Sequence, residues 1–287
     1  MDALLMKMPK TLLYDGAFYA TRDADSASSA ATAVSLLHDI LAPRSVVDVG
    51  CGVGTWLRQF SDHGVETIVG LDGPWVEKKH LVIPRDAFFE ANFEEPLSLP
   101  QTFDLALSLE VAEHVSPENA QQFVHSLVEL APMVLFGAAI PHQGGVGHVN
   151  EQWPDFWARL FGEEDYVCID WLRWQMWHLP EVLYWYPQNT LLYINSEHLK
   201  TSQLLQETFA SFICETPPGV VHPDLFVRHA ARIARLETQL GDTARDLERL
   251  KVERLSIRSN LRALGKSLAR AWEVRIAKRP IRAKTRI

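Results

Sequence analysis

The sequence predicts an α/β protein with a mostly parallel, doubly wound sheet, followed by a C-terminal helical coiled coil. Three observations carry the prediction. Short apolar, β-branched runs alternate with amphipathic stretches between residues 26 and 195, the pattern of strands paired in parallel with helices on both faces. A glycine-rich turn joins the first such strand to the next helix. Beyond residue 223 the apolar residues recur in alternating steps of three and four, which is the period of a coiled coil.

In chain order, residues 1–25 carry no clear pattern. Residues 26–42 read as a helix, with serines as N-cap choices and Pro43 as its stop. SVVDV (45–49) reads as a buried strand, and TWLRQFSDHG (55–64) as a helix closed by Gly64. Further strands are expected at 67–72, around 87–93, at 103–110 and at 133–140. Residues 116–130 form a helix with Ser116 as N-cap and Pro117 in its first turn. A helix is expected over 152–161, a strand over 190–195 and a helix over 196–213. ETPPGVVHP (215–223) is a proline-rich boundary. The expected layout is an N-terminal helical segment (1–44), a ligand-binding domain (45–214), a coiled coil (224–272) and a basic tail (273–287).

The net charge of −8 conceals an asymmetry. Residues 1–222 hold 11 Lys/Arg and 29 Asp/Glu, whereas residues 223–287 hold 17 and 7. An acidic body disfavours nucleic acid as a partner, because that binding depends on neutralising phosphates. The three cysteines, Cys51, Cys168 and Cys214, match neither a disulfide framework nor a zinc pattern. With no signal-peptide core and no run long enough for a membrane span, they point to a cytoplasmic location.

The segment VVDVGCGVGTWL (46–57) is the most informative. A buried strand ends in Asp48, and Gly50, Gly52 and Gly54 follow at alternate positions before a helix starts. Glycines let a ligand approach the backbone closely, and the helix N-terminus offers N–H donors. The spacing is not the G-x-G-x-x-G of dinucleotide sites. An acid before the turn would repel a pyrophosphate and suits an ammonium group. A second acid, Asp72, ends the strand VGLD and can accept from both hydroxyls of a ribose.

The D-x-G-x-G-x-G pattern resembles the first motif of class I S-adenosylmethionine-dependent methyltransferases. The resemblance implies a Rossmann-like methyltransferase fold and S-adenosylmethionine as cofactor. It places Asp48, Gly50, Cys51, Gly52 and Gly54 around the donor, Asp72 on its ribose, and Asn92 and Phe93 at its adenine. Many family members have Asp where Asn92 stands.

SLEVAEHV (108–115) resembles the segment after the fourth strand of small-molecule O-methyltransferases, which places Glu110 by the cofactor. If this turn is helical, Glu110, Glu113 and His114 share one face and suit a divalent metal. A similar E-x-x-E-H cluster holds metal in small-RNA 3′-end methyltransferases, with His148 the candidate fourth ligand here. Alternatively, Glu113 and His114 only support the next helix. PHQGGVGHVNEQWPDFW (141–157) resembles the G-G-x-G-H-x-N-E-x-W segment of bacterial methyltransferases found with glycan systems. In this loop His148 is the first candidate general base and His142 the second, with Glu151 orienting the base. A bracing role for His148, Asn150 and Glu151 is the alternative. The resemblance spans roughly residues 45–195.

Trp171, Trp174, Trp177, Tyr184, Trp185 and Tyr186 serve either core packing or stacking on a ring or sugar. These readings lead to O-methylation of a sugar, glycan or small-molecule hydroxyl. Two alternatives stand beside it: a ring or protein acceptor, and a weakly active scaffold organised by the coil. Ten of the twelve seam positions from 233 to 271 are apolar, with Thr243 and Arg254 the breaks. A homo-oligomer or a coiled-coil partner is expected there. The basic last stretch (266–287), with Trp272, Val274 and Ile276 interleaved, either lies peripherally on an anionic membrane or stays solvated.

Overall fold

A computed structural model describes residues 16–277. Seven strands form one sheet in the order β3-β2-β1-β4-β5-β7-β6. They are β1 Ser45–Val49, β2 Thr67–Asp72, β3 Phe88–Glu90, β4 Leu105–Leu109, β5 Met133–Gly137, β6 Tyr166–Ile169 and β7 Leu191–Asn195. Strands β1 to β5 pair in parallel, while β7 runs antiparallel to both β5 and β6. The chain therefore reverses its winding between β1 and β4. At such a point the connections leave in opposite directions, and a crevice opens beyond the carboxyl ends of the strands.

Helices cover both faces. On one face α1 (Gly16–Leu41) packs beside α2 (Thr55–Asp62), with Ala33, Val34, Leu37, Leu57 and Phe60 buried. On the other, α3 (Ala120–Leu130) and α4 (Pro154–Glu163) bury Phe123, Leu127, Trp157 and Phe161. The short helices α5 (Leu172–Met176), α6 (Trp185–Asn189), α7 (Ser196–Thr201) and α8 (Gln203–Phe209) complete the layers. The last helix, α9, runs Pro223–Ala277. The described residues up to Leu225 form one compact unit, and those from Phe226 onward form a second.

The expected strands at 45–49 and 67–72 appear with those bounds, and the others are shorter than expected. The expected helix over 196–213 is divided into α7, α8 and a 3-10 turn at Ala210–Phe212, because Ser202 is extended and caps α8 through its hydroxyl. Ser116 does not cap its helix. It donates instead to the carboxylate of Glu94, whose second oxygen accepts from the Ser116 N–H. Asn119 donates to Glu94 as well. A charged acceptor outcompetes the neutral cap, and the result pins the loop after β3 to the start of α3.

Strand β6 departs from the expected layout. YVCI is only four residues long and its one glycine signal, Gly162, lies inside the last turn of the preceding helix, yet its pairing with β7 completes the sheet edge. Behind it, the buried Arg173 holds Asp170 through both carboxylate oxygens and donates to the carbonyls of Gln188 and Pro218. This pair fixes the backbone around α6, which carries part of the site.

Candidate functional site

The loop after β1 bends through three residues of positive φ: Gly50 (92°), Gly52 (56°) and Gly54 (93°). Only glycine adopts these angles without strain. A Cβ on Gly50 would also lie 2.2 Å from a methyl carbon of Val111, so the loop is pressed against the end of β4. The Gly50 and Cys51 N–H groups donate to the Leu71 carbonyl at 2.8 and 3.1 Å, which ties the loop to β2. Asp72 then accepts from the Gly52 N–H at 2.7 Å and from the Gly73 N–H at 2.6 Å. The two expected donor-site acids thus meet one loop.

Asp48 is buried beneath the turn, and its carboxyl is pushed well above the ordinary range by burial and then by Asp72. Between the ordinary and the raised value the folded chain holds a proton that the unfolded chain has released. Ligand-free stability therefore falls as pH rises through that window. Asp48→Asn has no such proton to lose. Between about pH 5 and pH 8 it is expected to gain stability relative to the parent. Urea denaturation at the two pH values checks this, and parallel curves would contradict it.

Cys51 is buried, and burial followed by Asp72 keeps its thiol protonated. Its contribution to the loop is its backbone. Asn92 accepts from the Glu94 N–H through Oδ1 and donates to Glu95, while the Phe93 ring packs against Phe123. A cleft of about 220 Å³ opens beside them, lined by Leu71, Phe89, Ala91, Asn92, Leu97 and Leu99 among others. Its walls are mixed, with Glu90, Glu95 and Ser98 beside these apolar side chains, and they reach Leu71 at the end of β2, next to Asp72. No Lys or Arg lies between Ser45 and Leu57. Two acids, a glycine cradle without a nearby Lys or Arg and a cleft lined by acids and apolar side chains fit a cationic nucleoside better than a pyrophosphate.

The end of β4 builds the next layer. Glu110 has φ 59°, held by its N–H donating to the Gly137 carbonyl. That turn separates it from the 3-10 turn Ala112–His114, so Glu110, Glu113 and His114 do not share one helical face. Instead the Glu110 carboxylate accepts from Gln143 at 2.8 Å and from Asn189 at 2.7 Å. Gln188 donates to Gln143 and accepts from the His222 N–H. Sequence reasoning misses Gln143, Gln188 and Asn189. The only signal for them is a buried-strand pattern preceded by two amides, Gln188-Asn189.

Glu113, His114 and His148 do come together, with ligand-type atoms all within 4.8 Å of one another. The Glu113 carbonyl accepts from the N–H groups of Val149 and Asn150, which ties the 141–153 loop to this turn. His114 Nδ1 faces the Gly147 carbonyl at 3.1 Å, and a carbonyl can only accept, so Nδ1 carries the proton. The Glu113 carboxylate is buried, and no side chain donates a hydrogen bond to either oxygen. Burial first, and Glu110 second, push its carboxyl well up, an effect that nearby backbone amides offset only in part. An orphaned buried carboxylate beside two imidazoles is a donor set that suits a divalent cation.

Glu151 gathers the loop. It accepts from the His142 N–H at 2.7 Å, the Gly144 N–H at 3.0 Å and His148 Nδ1 at 2.8 Å. With Nδ1 donating to Glu151, Nε2 is the basic nitrogen and lies 3.9 Å from Glu113 Oε1. His142 is exposed, with φ 68°, and enters this network through its backbone. Of the aromatic cluster, Tyr186 packs in the core against Trp56, whereas Trp177 and Tyr184 flank His222 and Trp174 is exposed.

Residues 23–198 match the family described as "Methyltransferase domain", which is well over half of the chain. The chain belongs to that family, and its sheet is the Rossmann-like fold of class I methyltransferases. No curated protein matches it in sequence. Among solved structures, an O-methyltransferase family protein from Burkholderia thailandensis is 15% identical, with 56% of this chain and 54% of that chain covered and a TM-score of 0.43. TnmH is 20% identical over 63% and 59%, also with a TM-score of 0.43. The chain thus spans little more than half the length of either. CalS10, an amino pentose methyltransferase from Micromonospora echinaspora, is 12% identical over 57% and 90%, with a TM-score of 0.41. Among the described residues no helix is long and apolar enough to cross a membrane.

Proposed function

We propose that the chain is an S-adenosylmethionine-dependent O-methyltransferase whose acceptor is a hydroxyl of a sugar, a glycan or a comparable polyhydroxylated small molecule. The observation that carries this reading is the His148–Glu151 pair at 2.8 Å, set in the loop beyond β5. An aliphatic hydroxyl is a poor nucleophile until its proton is taken, so a base held in one tautomer is what such an acceptor needs.

S-adenosylmethionine, when bound, supplies a methyl group on a positively charged sulfur whose departure needs no proton. Asp72 and the glycine loop hold the nucleoside, and a bound positive charge would draw the buried Asp48 carboxyl back towards its ionised form. His148 Nε2 takes the hydroxyl proton as the acceptor oxygen bonds to the methyl carbon and the sulfur–carbon bond breaks. Glu151 stabilises the imidazolium that results. The part-exposed Glu110 and Gln143, held in place by the buried Gln188 and Asn189, offer an acceptor and an amide to the acceptor's hydroxyls. Much of the rate comes from alignment of the acceptor.

The orphaned Glu113 carboxylate favours a second version of the same reaction. A divalent cation held by Glu113, His114 and His148 would lower the pKa of the acceptor hydroxyl when bound. In that version His148 is a ligand and not the base, and activity is lost on chelation and regained with added Mg²⁺ or Mn²⁺.

Transfer of labelled methyl from S-adenosylmethionine to parallel panels of sugars, phenols, peptides and RNA tests the proposal. Methyl ethers on sugar hydroxyls are the expected product. Turnover confined to peptides or RNA would overturn the acceptor class. Tight donor binding with no turnover on any panel would favour a scaffold.

A further inference from the structure

Helix α9 is one continuous helix from Pro223 to Ala277, and residues 230–273 are exposed throughout. Its apolar seam lies open, from 49% exposure at Leu236 to 71% at Leu240. Gly241 and Gly265 sit inside it with open space around them, each costing about 1 kcal/mol against alanine. A long helix with weak interior residues and a narrow apolar stripe takes its stability from a partner laid along that stripe.

The charges beside the seam identify the partner. With Ile233 at heptad position a and Leu236 at d, the flanking g positions hold Arg232, Asp246 and Glu253, and the e positions hold Glu237, Lys251 and Arg258. In a parallel, in-register pair, each g residue meets the e residue five positions on in the other copy. Arg232 then meets Glu237, Asp246 meets Lys251, and Glu253 meets Arg258. All three charged pairings are opposite in sign, and a two-fold axis repeats each of them.

An antiparallel pair over the same length brings g against g and e against e. Asp246 then flanks Glu253, and Lys251 flanks Arg258, which is like against like at the centre. Arg254 occupies an a position. In the parallel register the two Arg254 side chains meet each other, each beside Glu253 of the second copy. A slip of one heptad sets each against Leu247 or Leu261 instead, so this polar residue fixes the register. The ion pairs within the single helix, such as Arg249 with Asp246 at 3.2 Å, are fully exposed and exchange at little cost.

We infer that α9 docks on α9 of a second copy of this chain, as a parallel, in-register two-stranded coiled coil. Both chains then enter the coil at the same end. The inference is independent of donor and acceptor chemistry.

Sedimentation equilibrium on the full chain, with two charge variants, tests it. The parent is expected to be a dimer. K251E/R258E places acids on both flanks and is expected to weaken dimerisation about tenfold or more, four ion pairs becoming four repulsions. Adding D246K/E253K to the same chain restores every g–e pairing in the parallel form and, although E253K removes the acid beside Arg254 of the second copy, is expected to restore most of the dimer. In an antiparallel form the fourfold variant still sets like charges together. Leu236→Cys gives a second readout, because only the parallel register brings the two residues 236 together. Mild oxidation is expected to yield a covalent dimer absent from the parent. A monomeric parent, a fourfold variant that does not recover, or no 236–236 disulfide would overturn the inference.

Discussion

His148→Ala is expected to lower kcat about a thousandfold, within the span usual for loss of a positioned base, while donor affinity changes less than about twofold. The split follows from geometry. The proposed donor contacts lie in the 50–54 loop and at Asp72, whereas His148 sits in the separate loop after β5, held by Glu151. Added imidazole is expected to return part of the rate by taking the proton in place of the missing ring. Single-turnover kinetics with labelled donor, alongside calorimetric donor titration, check both halves. Unchanged kcat would remove His148 from the chemistry. Loss of donor binding would make it a structural residue of the cofactor site.

Gly50→Ala is expected to weaken donor binding about a hundredfold or more, for two reasons that act together. The residue has φ 92°, where a side chain costs about 1–3 kcal/mol. Its new Cβ would lie 2.2 Å from Val111, so the loop or the end of β4 must move. Both elements border the proposed donor site, and each loss of about 1.4 kcal/mol through misplacement is a factor of ten in affinity. Gly64 supplies the control. Its φ is 95°, and no atom stands within 4 Å of the place a Cβ would take. Gly64→Ala is therefore expected to lower the melting temperature by a few degrees and to leave donor affinity intact. If the two variants bind donor equally well, the cradle is not where the donor sits.

The sheet and the glycine bend after β1 are legible because their signals are local. SVVDV followed by three alternating glycines specifies a strand, a turn and a helix within a dozen residues. Asp72 is fixed by the next strand, so the pair of acids could be placed from spacing alone. The polar cluster around Glu110 was not legible in this way. Its partners Gln143, Gln188 and Asn189 come from two distant segments, and single amides resemble loop residues until the fold closes. The same holds for Glu94, whose role depends on meeting Ser116 and Asn119 across the loop. Helical spacing suggested Glu110 beside Glu113 and His114. The positive φ at Glu110 turned it towards the amides instead, an outcome that no i, i+3 pattern encodes.

The central claim is that the bend after β1, between two acids, holds a cationic sulfonium donor in preference to a phosphate-bearing dinucleotide. Isothermal titration of the full chain with S-adenosylmethionine, S-adenosylhomocysteine and a nicotinamide dinucleotide tests it most directly. Saturable heat with the first two and none with the third is the predicted result. Heat with the dinucleotide alone would contradict the account.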